Sequence, residues 1–204
     1  MGASPPFLRY VAIGASDSVG VGATDPVTGS WPARVAALLP PGSAFVNVGV
    51  SGSIAAQAKE QQLPAAVAQR PTVVSVWLAV NDMNSQIAPQ AFGEALGAIV
   101  DGLVTRTGAN VFVGNVPDLR GVPAYADVDK DLLQQQITAY NDAIASVARS
   151  APGRVFAVDL HTGSAPLVSQ ITVSGDGFHP SDDGYRIIAE RFATAMRAAG
   201  VPLR

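Results

Sequence analysis

Cysteine is absent from the 204 residues, so disulfides, thiolate nucleophiles and cysteine-ligated metals are all excluded. Charge is scarce too: 13 basic residues stand against 16 acidic ones, a formal balance of −3. Without a basic surplus, nucleic acid is not an expected partner. No stretch approaches the roughly 20 consecutive apolar residues that a membrane helix requires, so no integral membrane segment is expected. The opening MGASPPFLRY has no charged stretch leading into an apolar one, so no leader is read there. The chain is expected to be cytoplasmic as written, or exported with its leader already removed. Internal repeats, long linkers and blocks of like charge are also missing, and one domain spanning 1–204 is expected. Only two histidines, His161 and His179, are present, which sharply limits the candidates for a general base.

What remains is apolar: 48% of the residues are hydrophobic, enough to build a substantial core in a chain of this length. Apolar, β-branched runs at Phe7–Ile13, Ala44–Val48, Thr72–Val80, Asn110–Val113 and Val155–Leu160 read as five strands. Helical patterns lie between them at Trp31–Leu39, Ile54–Gln69 (interrupted by Pro64), Pro89–Thr107 and Asp131–Arg149. A last helix is expected over Asp182–Ala199 with Ser181 as its N-cap, and Gly108 and Gly153 fall where helix-ending turns are wanted. Strands alternating with helices of this length imply parallel strands joined by right-handed crossovers. The expected fold is a three-layer α/β/α sandwich of about five parallel strands in the flavodoxin-like order.

In such sheets, sites form outside the carboxyl ends of the strands. The polar breaks fall there: Gly14-Ala15-Ser16 after the first strand, Asn47–Gly52 after the second, Asn81-Asp82 after the third, and Gly175–Pro180 beyond the fifth. Together they supply what a serine-based acyl transfer needs, namely a nucleophile, a base, a group orienting the base, and donors for an oxyanion. His179 stands in DGFHPS with Asp176 three residues before it, a spacing that lets a carboxylate fold back onto Nδ1. His161 has Val158 at that place and is read as structural or pocket-lining. Gly52 can offer an unshielded N–H and Asn81 a side-chain amide. A turn glycine and a helix cap are the plainer roles for these two.

Ser16, Gly52, Asn81 and His179, in this order, resemble the four blocks of the SGNH hydrolases, also called GDSL esterases and lipases. YVAIGASDSVGVG is similar to the first block, NVGVSG to the second, WLAVND to the third and DGFHPS to the last. The resemblance implies Ser16 as nucleophile, His179 as general base and then acid, and Asp176 as its orienting carboxylate. It also implies an oxyanion hole made by the N–H groups of Ser16 and Gly52 and the side chain of Asn81. Members of the family hydrolyse carboxylic esters, from short acyl esters to lysophospholipids and acetylated sugars, and need no metal or organic cofactor. The implied partner is thus a small-molecule ester, with no obligate protein partner.

Two departures stand out. Ala15 replaces the aspartate usual before the serine, and Ala79 replaces the glycine that usually opens the third block. Asp17-Ser18 restores an Asp-Ser pair two residues on, so Ser18 is the competing nucleophile. Ser16 is preferred because it lies immediately beyond the strand. Asp17, Leu78, Val80, Met83 and Phe178 are candidate pocket residues, and Asn115–Lys130 is a long segment that could form a lid, part of the pocket, or a solvated connector. Loss of the imidazole proton on His179 is expected to raise activity. The alternatives are a non-catalytic carbohydrate- or lipid-binding relative of the same fold, and a flavin- or nucleotide-binding module. Against the latter, the first block carries neither a Walker lysine nor the GxGxxG pattern.

Overall fold

The computed structural model describes residues 7–168 and 171–204. Most of the first ten residues, read above as lacking a leader, lie outside this range. Five strands form one parallel sheet in the order β2-β1-β3-β4-β5. They are β1 (Arg9–Gly14), β2 (Ala44–Asn47), β3 (Val73–Trp77), β4 (Asn110–Gly114) and β5 (Val155–Val158). The helices are α1 (Ser16–Val19), α2 (Pro26–Gly29), α3 (Trp31–Ala36), α4 (Ala55–Ala68), α5 (Val80–Asn84), α6 (Pro89–Thr107), α7 (Lys130–Ala148) and α8 (Asp182–Ala198).

Successive side chains of a strand point to opposite faces, and both faces of this sheet are covered. Val11 and Ile13 of β1, Val74 and Val76 of β3, and Val111 and Val113 of β4 pack in one core with residues of α4, α6 and α7. Tyr10 and Ala12, Val73 and Trp77, and Phe112 pack in the other with Trp31 and Val35 of α3 and Tyr185, Phe192 and Met196 of α8. Trp31 stacks on Phe192 with ring centroids 4.3 Å apart, joining the two helices of that layer. This is the three-layer arrangement and strand order expected from the sequence.

Departures from the expected boundaries have local causes. The third strand stops at Trp77, not Val80, because Ala79 adopts φ 104° and turns the chain into α5. Asn81 therefore sits on a short helix and not on a strand end. The fifth strand stops at Val158, where Asp159 Oδ1 accepts the N–H groups of His161 and Thr162, both at 2.9 Å. Helix α4 runs unbroken through Pro64, which is exposed, so the carbonyl it leaves without a partner can be hydrated. Ser181 caps α8 by accepting the Gly184 N–H, and Gly108 ends α6 in the left-handed conformation, both as expected. The short helices α1, α2 and α5 were not legible.

Candidate active site

Strand β1 is buried along most of its length and ends on Gly14, after which Ser16 opens α1. A Cβ at Gly14 would lie 1.8 Å from Ser18 Oγ and 3.0 Å from the Trp77 carbonyl, so only glycine fits beneath this turn. Ser16 is 8% exposed and its Oγ lies 2.9 Å from His179 Nε2. Ser18 is fully buried over Gly14, and its Oγ has no hydrogen-bond partner. The two serines therefore face different surroundings, and only Ser16 meets the histidine.

The segment around His179 is a self-contained turn. Val173 bridges Pro180, and Ser174 N–H donates to the His179 carbonyl at 2.8 Å. Within it, Asp176 Oδ1 accepts the N–H groups of Phe178 and His179 and the Ser174 hydroxyl, at 2.8, 2.9 and 2.8 Å. That leaves Oδ2 facing His179 Nδ1 at 2.6 Å. Burial opposes ionisation of Asp176, but the imidazole and the other donors outweigh it and hold the carboxyl far below its ordinary range. A lasting carboxylate fixes the proton on Nδ1 and leaves Nε2 to accept from Ser16.

Asn81 donates an Nδ2 hydrogen to the Ser53 carbonyl at 3.1 Å, which leaves its second one free for another acceptor. Gly52 is an exposed turn residue with φ 80°, and the space where its Cβ would stand is open. Conformation, more than lack of room, requires glycine here. Its N–H finds no acceptor among the described residues. The loop carrying Gly52 is tied to the first block by Asn47, whose Nδ2 donates to the Ser18 carbonyl at 2.6 Å.

These groups border an open cleft enclosing ≈ 1050 Å³, part of it open solvent. Ser16, Asp17, Leu78, Val80, Asn81, Phe178 and His179 line it, and Gly52 stays at its margin, next to the lining residue Ser53. Phe178 sets its ring edge-on to both Tyr125 and His179. Met83, expected in the pocket, is instead a core residue on the side of α5 facing away from the cleft; it is 5% exposed and packs with the α4–α6 layer. His161 lies outside the cleft lining, with Nδ1 3.1 Å from the Val116 carbonyl. The Asn115–Lys130 segment packs as a cleft wall: Leu119, Val122 and Tyr125 are buried and line the cleft. Asn141 clamps the Val116 N–H and carbonyl at 2.8 and 3.0 Å, and Ser164 Oγ accepts the Asp118 N–H. Among the described residues no three histidine or carboxylate side chains cluster to hold a metal ion.

Two further residues brace the site. Gln62, 1% exposed, hydrogen-bonds Gly14 and Ser53. Asp82, also 1% exposed, accepts the Ala55 N–H through both oxygens and so caps α4. A signal for Gln62 was present: it falls in the buried row of α4 with Ala55, Ala58 and Ala66, where a polar side chain needs partners. Burial pushes Asp82 up to about 6 against the pull of the Ala55 N–H. Asp17, partly buried beside Ser16, is likewise pushed up to about 6 by burial, with the Ser18 N–H and the neighbouring His179 opposing it.

The chain matches the family model of the GDSL-like lipase/acylhydrolase family over residues 12–187. No curated protein matches it. Among solved structures it is similar to TesA, at 21% identity and a TM-score of 0.74, over 94% of this chain and 99% of the other. It is similar to a mutant of Axe2, an acetyl-xylooligosaccharide esterase from Geobacillus Stearmophilus, at 18% identity and 0.73, over 97% and 96%. A family 3 carbohydrate esterase from Clostridium thermocellum gives 19% and 0.70, over 95% and 96%. At these identities the three likenesses establish the fold.

Proposed function

The chain belongs to the GDSL-like lipase/acylhydrolase family and is a carboxylic ester hydrolase, and we propose that it works through a Ser16–His179–Asp176 triad on esters with a short-to-medium apolar acyl group. The observation that carries this reading is the unbroken relay from Ser16 Oγ to His179 Nε2, at 2.9 Å, and from Nδ1 to Asp176 Oδ2, at 2.6 Å. His179 takes the Ser16 proton as Oγ attacks the ester carbonyl, and the imidazolium is stabilised by Asp176. The developing oxyanion is held by the N–H groups of Ser16 and Gly52 and the free amide hydrogen of Asn81. His179 then protonates the leaving alkoxide as the ester C–O bond breaks. A water gives a proton to His179 and attacks the acyl-enzyme, and the acyl–Oγ bond breaks as His179 returns that proton to Ser16 and the carboxylic acid leaves. The scheme calls on no metal or organic cofactor.

The walls favour an apolar group. Leu78, Val80, Leu119, Val122 and Phe178 flank the cleft, and burying each methylene of an acyl chain against them contributes about 0.8 kcal/mol. The test is hydrolysis of p-nitrophenyl acetate, butyrate and octanoate, lysophosphatidylcholine and an acetylated xylo-oligosaccharide by the unmutated chain, Ser16→Ala and Ser18→Ala. The expected result is turnover that is best at butyrate or octanoate, lost in Ser16→Ala and kept in Ser18→Ala. Loss in Ser18→Ala alone would move the nucleophile by two residues. Absence of turnover on every ester would instead favour the carbohydrate- or lipid-binding relative. Turnover confined to the acetylated sugar would overturn the apolar preference alone.

A further inference from the structure

Strand β2 ends at Asn47 while its neighbour β1 continues to Gly14. The last residue of β1 therefore outruns its ladder partner on that side. The Gly14 carbonyl keeps a backbone partner on that side, the Val50 N–H at 3.1 Å, but its buried N–H must find another, and it finds one side chain. Gln62 Oε1 accepts the Gly14 N–H at 3.0 Å, and Gln62 Nε2 donates back to the Gly14 carbonyl at 3.0 Å. The second Nε2 hydrogen goes to Ser53 Oγ at 3.1 Å. Both donors of the amide are thus used, and no freedom is left to a side chain that is 1% exposed.

The two segments held by this amide carry the reactive groups. Gly14 stands two residues before Ser16, and Ser53 directly follows Gly52. The Ser53 carbonyl in turn accepts the Asn81 amide at 3.1 Å. One connected path, Gly14–Gln62–Ser53–Asn81, therefore links the segments bearing every group that the triad reading assigns to the nucleophile and the oxyanion hole. We infer that Gln62 is a positioning residue for ester hydrolysis: from within α4, it sets the Gly52 and Asn81 donors at a fixed place relative to Ser16 Oγ. The inference rests on the roles proposed above for Ser16, Gly52 and Asn81. Its chemical content is that the oxyanion donors lose their aim, while the apolar walls that bind substrate stay where they are. Gln62 does not itself line the cleft, so its loss acts on kcat and leaves KM nearly unchanged.

The experiment compares Gln62→Met and Ser53→Ala with Tyr10→Phe, all in the full chain. Tyr10 lies in the same strand and hydrogen-bonds Ser75 in the buried sheet, at 2.8 Å, remote from the cleft. Its loss costs stability without touching the path. Each variant is assayed on p-nitrophenyl butyrate well below its own thermal midpoint, and its rate of inactivation by a p-nitrophenyl alkylphosphonate is measured alongside. The expected result is a kcat lowered at least tenfold in Gln62→Met and about threefold in Ser53→Ala, with KM within twofold. The phosphonate rate should fall in parallel, because its phosphoryl oxygen occupies the same hole. Tyr10→Phe should keep kcat within twofold.

A folded Gln62→Met with kcat within twofold of the parent overturns the inference. So does a kcat loss matched by Tyr10→Phe at equal thermal shift. Should Gln62→Met not fold, Ser53→Ala decides, and an unchanged kcat there is equally fatal. Ser16→Ala run beside them separates the two levels. If it retains turnover, the triad reading fails and takes this inference with it; if it is dead while Gln62→Met is fully active, only the positioning role is lost.

Discussion

The two sides of the cleft are held by different means. On the side of Ser16, Gly52 and Asn81, the proposed reactive groups sit on the turns and short helices that follow β1, β2 and β3 and are fixed from below by buried side chains distant in sequence. Gln62 reaches back 48 residues to Gly14, and Asp82 reaches 27 residues to Ala55. On the side of His179, almost everything is local. Asp176, Ser174, Phe178 and His179 bond one another within a few residues, and the Asp176 side chain is 42% exposed. The difference teaches that the first side is a property of the folded core, whereas the second is a property of a short segment that the core only has to deliver. Substitutions should therefore separate: on the local side they cost chemistry at little cost in stability, and on the core side they cost both.

The largest expected effect breaks the local side alone. In Asp176→Asn, the amide oxygen can keep the donors that Oδ1 now accepts, so the turn survives. The amide NH2 then faces His179 Nδ1 and forces that nitrogen to accept, which moves the ring proton to Nε2 and leaves no base for Ser16. We expect kcat to fall about 10³–10⁴-fold, with a thermal midpoint close to that of the parent. Activity within tenfold of the parent would mean that Asp176 does not set the tautomer.

The core side breaks next, and it breaks as a fold. Gly14→Ala places a methyl 1.8 Å from Ser18 Oγ and 2.8 Å from Ser18 Cβ. A loss of about 3 kcal/mol is expected, the upper end of what overpacking costs. Adding Ser18→Gly removes both colliding atoms and should restore about half, leaving the contact with the Trp77 carbonyl. Denaturant unfolding of the single and double variants reads this directly, and simple additivity of the two substitutions would contradict the geometry. Ser18→Ala alone should be neutral, since the hydroxyl it removes is buried without a partner.

This contrast also explains what could be read from the chain. Asp176 and His179 were legible because their interaction is written in a spacing of three. Ser16 was legible as the candidate nucleophile because it lies immediately beyond the first strand. The parallel strands and most boundaries followed from the alternation of apolar runs and helical patterns, whereas the strand order was a prior taken from folds of this class and not read from the residues. What the sequence did not disclose depends on tertiary register. Met83 lies beside Asn81 in sequence, yet the helical turn of α5 sends it into the core. Gln62 and Asp82 gain their meaning only when α4 docks against β1 and α5.

The same division appears in acid response. Asp82 and Asp17, on the core side, are raised to about 6 by burial. Asp176 and Asp159, on the loop side, are lowered, Asp159 to about 2, because donors outweigh burial. For the raised pair, the folded state holds extra protons between pH of about 4 and 6. Stability therefore falls as pH rises through that window and is level above it. The lowered pair contributes stability that is complete above about 4 and is lost on further acidification, a share that solvent exposure keeps small at Asp176, so the two windows do not overlap. Raising buried Asp82 from its ordinary carboxylate value to about 6 corresponds to roughly 2–3 kcal/mol. Asp82→Asn keeps an oxygen for the Ala55 N–H, and it should flatten the decline in thermal midpoint between pH 4.5 and 7.5 by about half. Equal slopes for parent and variant would assign the decline elsewhere.

The smallest effect concerns the joint between β3 and α5. Ala79 is 1% exposed and holds φ 104°, ψ −44°, a conformation that L-residues avoid at a cost on the order of 1–3 kcal/mol. The turn it makes is what aims Asn81 at the cleft, so the strain is located where the proposed oxyanion donor is set. Ala79→Gly relieves that strain but loses one buried methyl, worth about 0.8 kcal/mol, and loosens the unfolded chain. The balance is a gain of roughly 1 kcal/mol or less, read as a rise of a few degrees in thermal midpoint. Because the backbone path through residue 79 is unchanged, kcat should stay within twofold. A stabilised variant with a kcat lowered tenfold would show that the methyl itself, and not the turn alone, holds Asn81 in place.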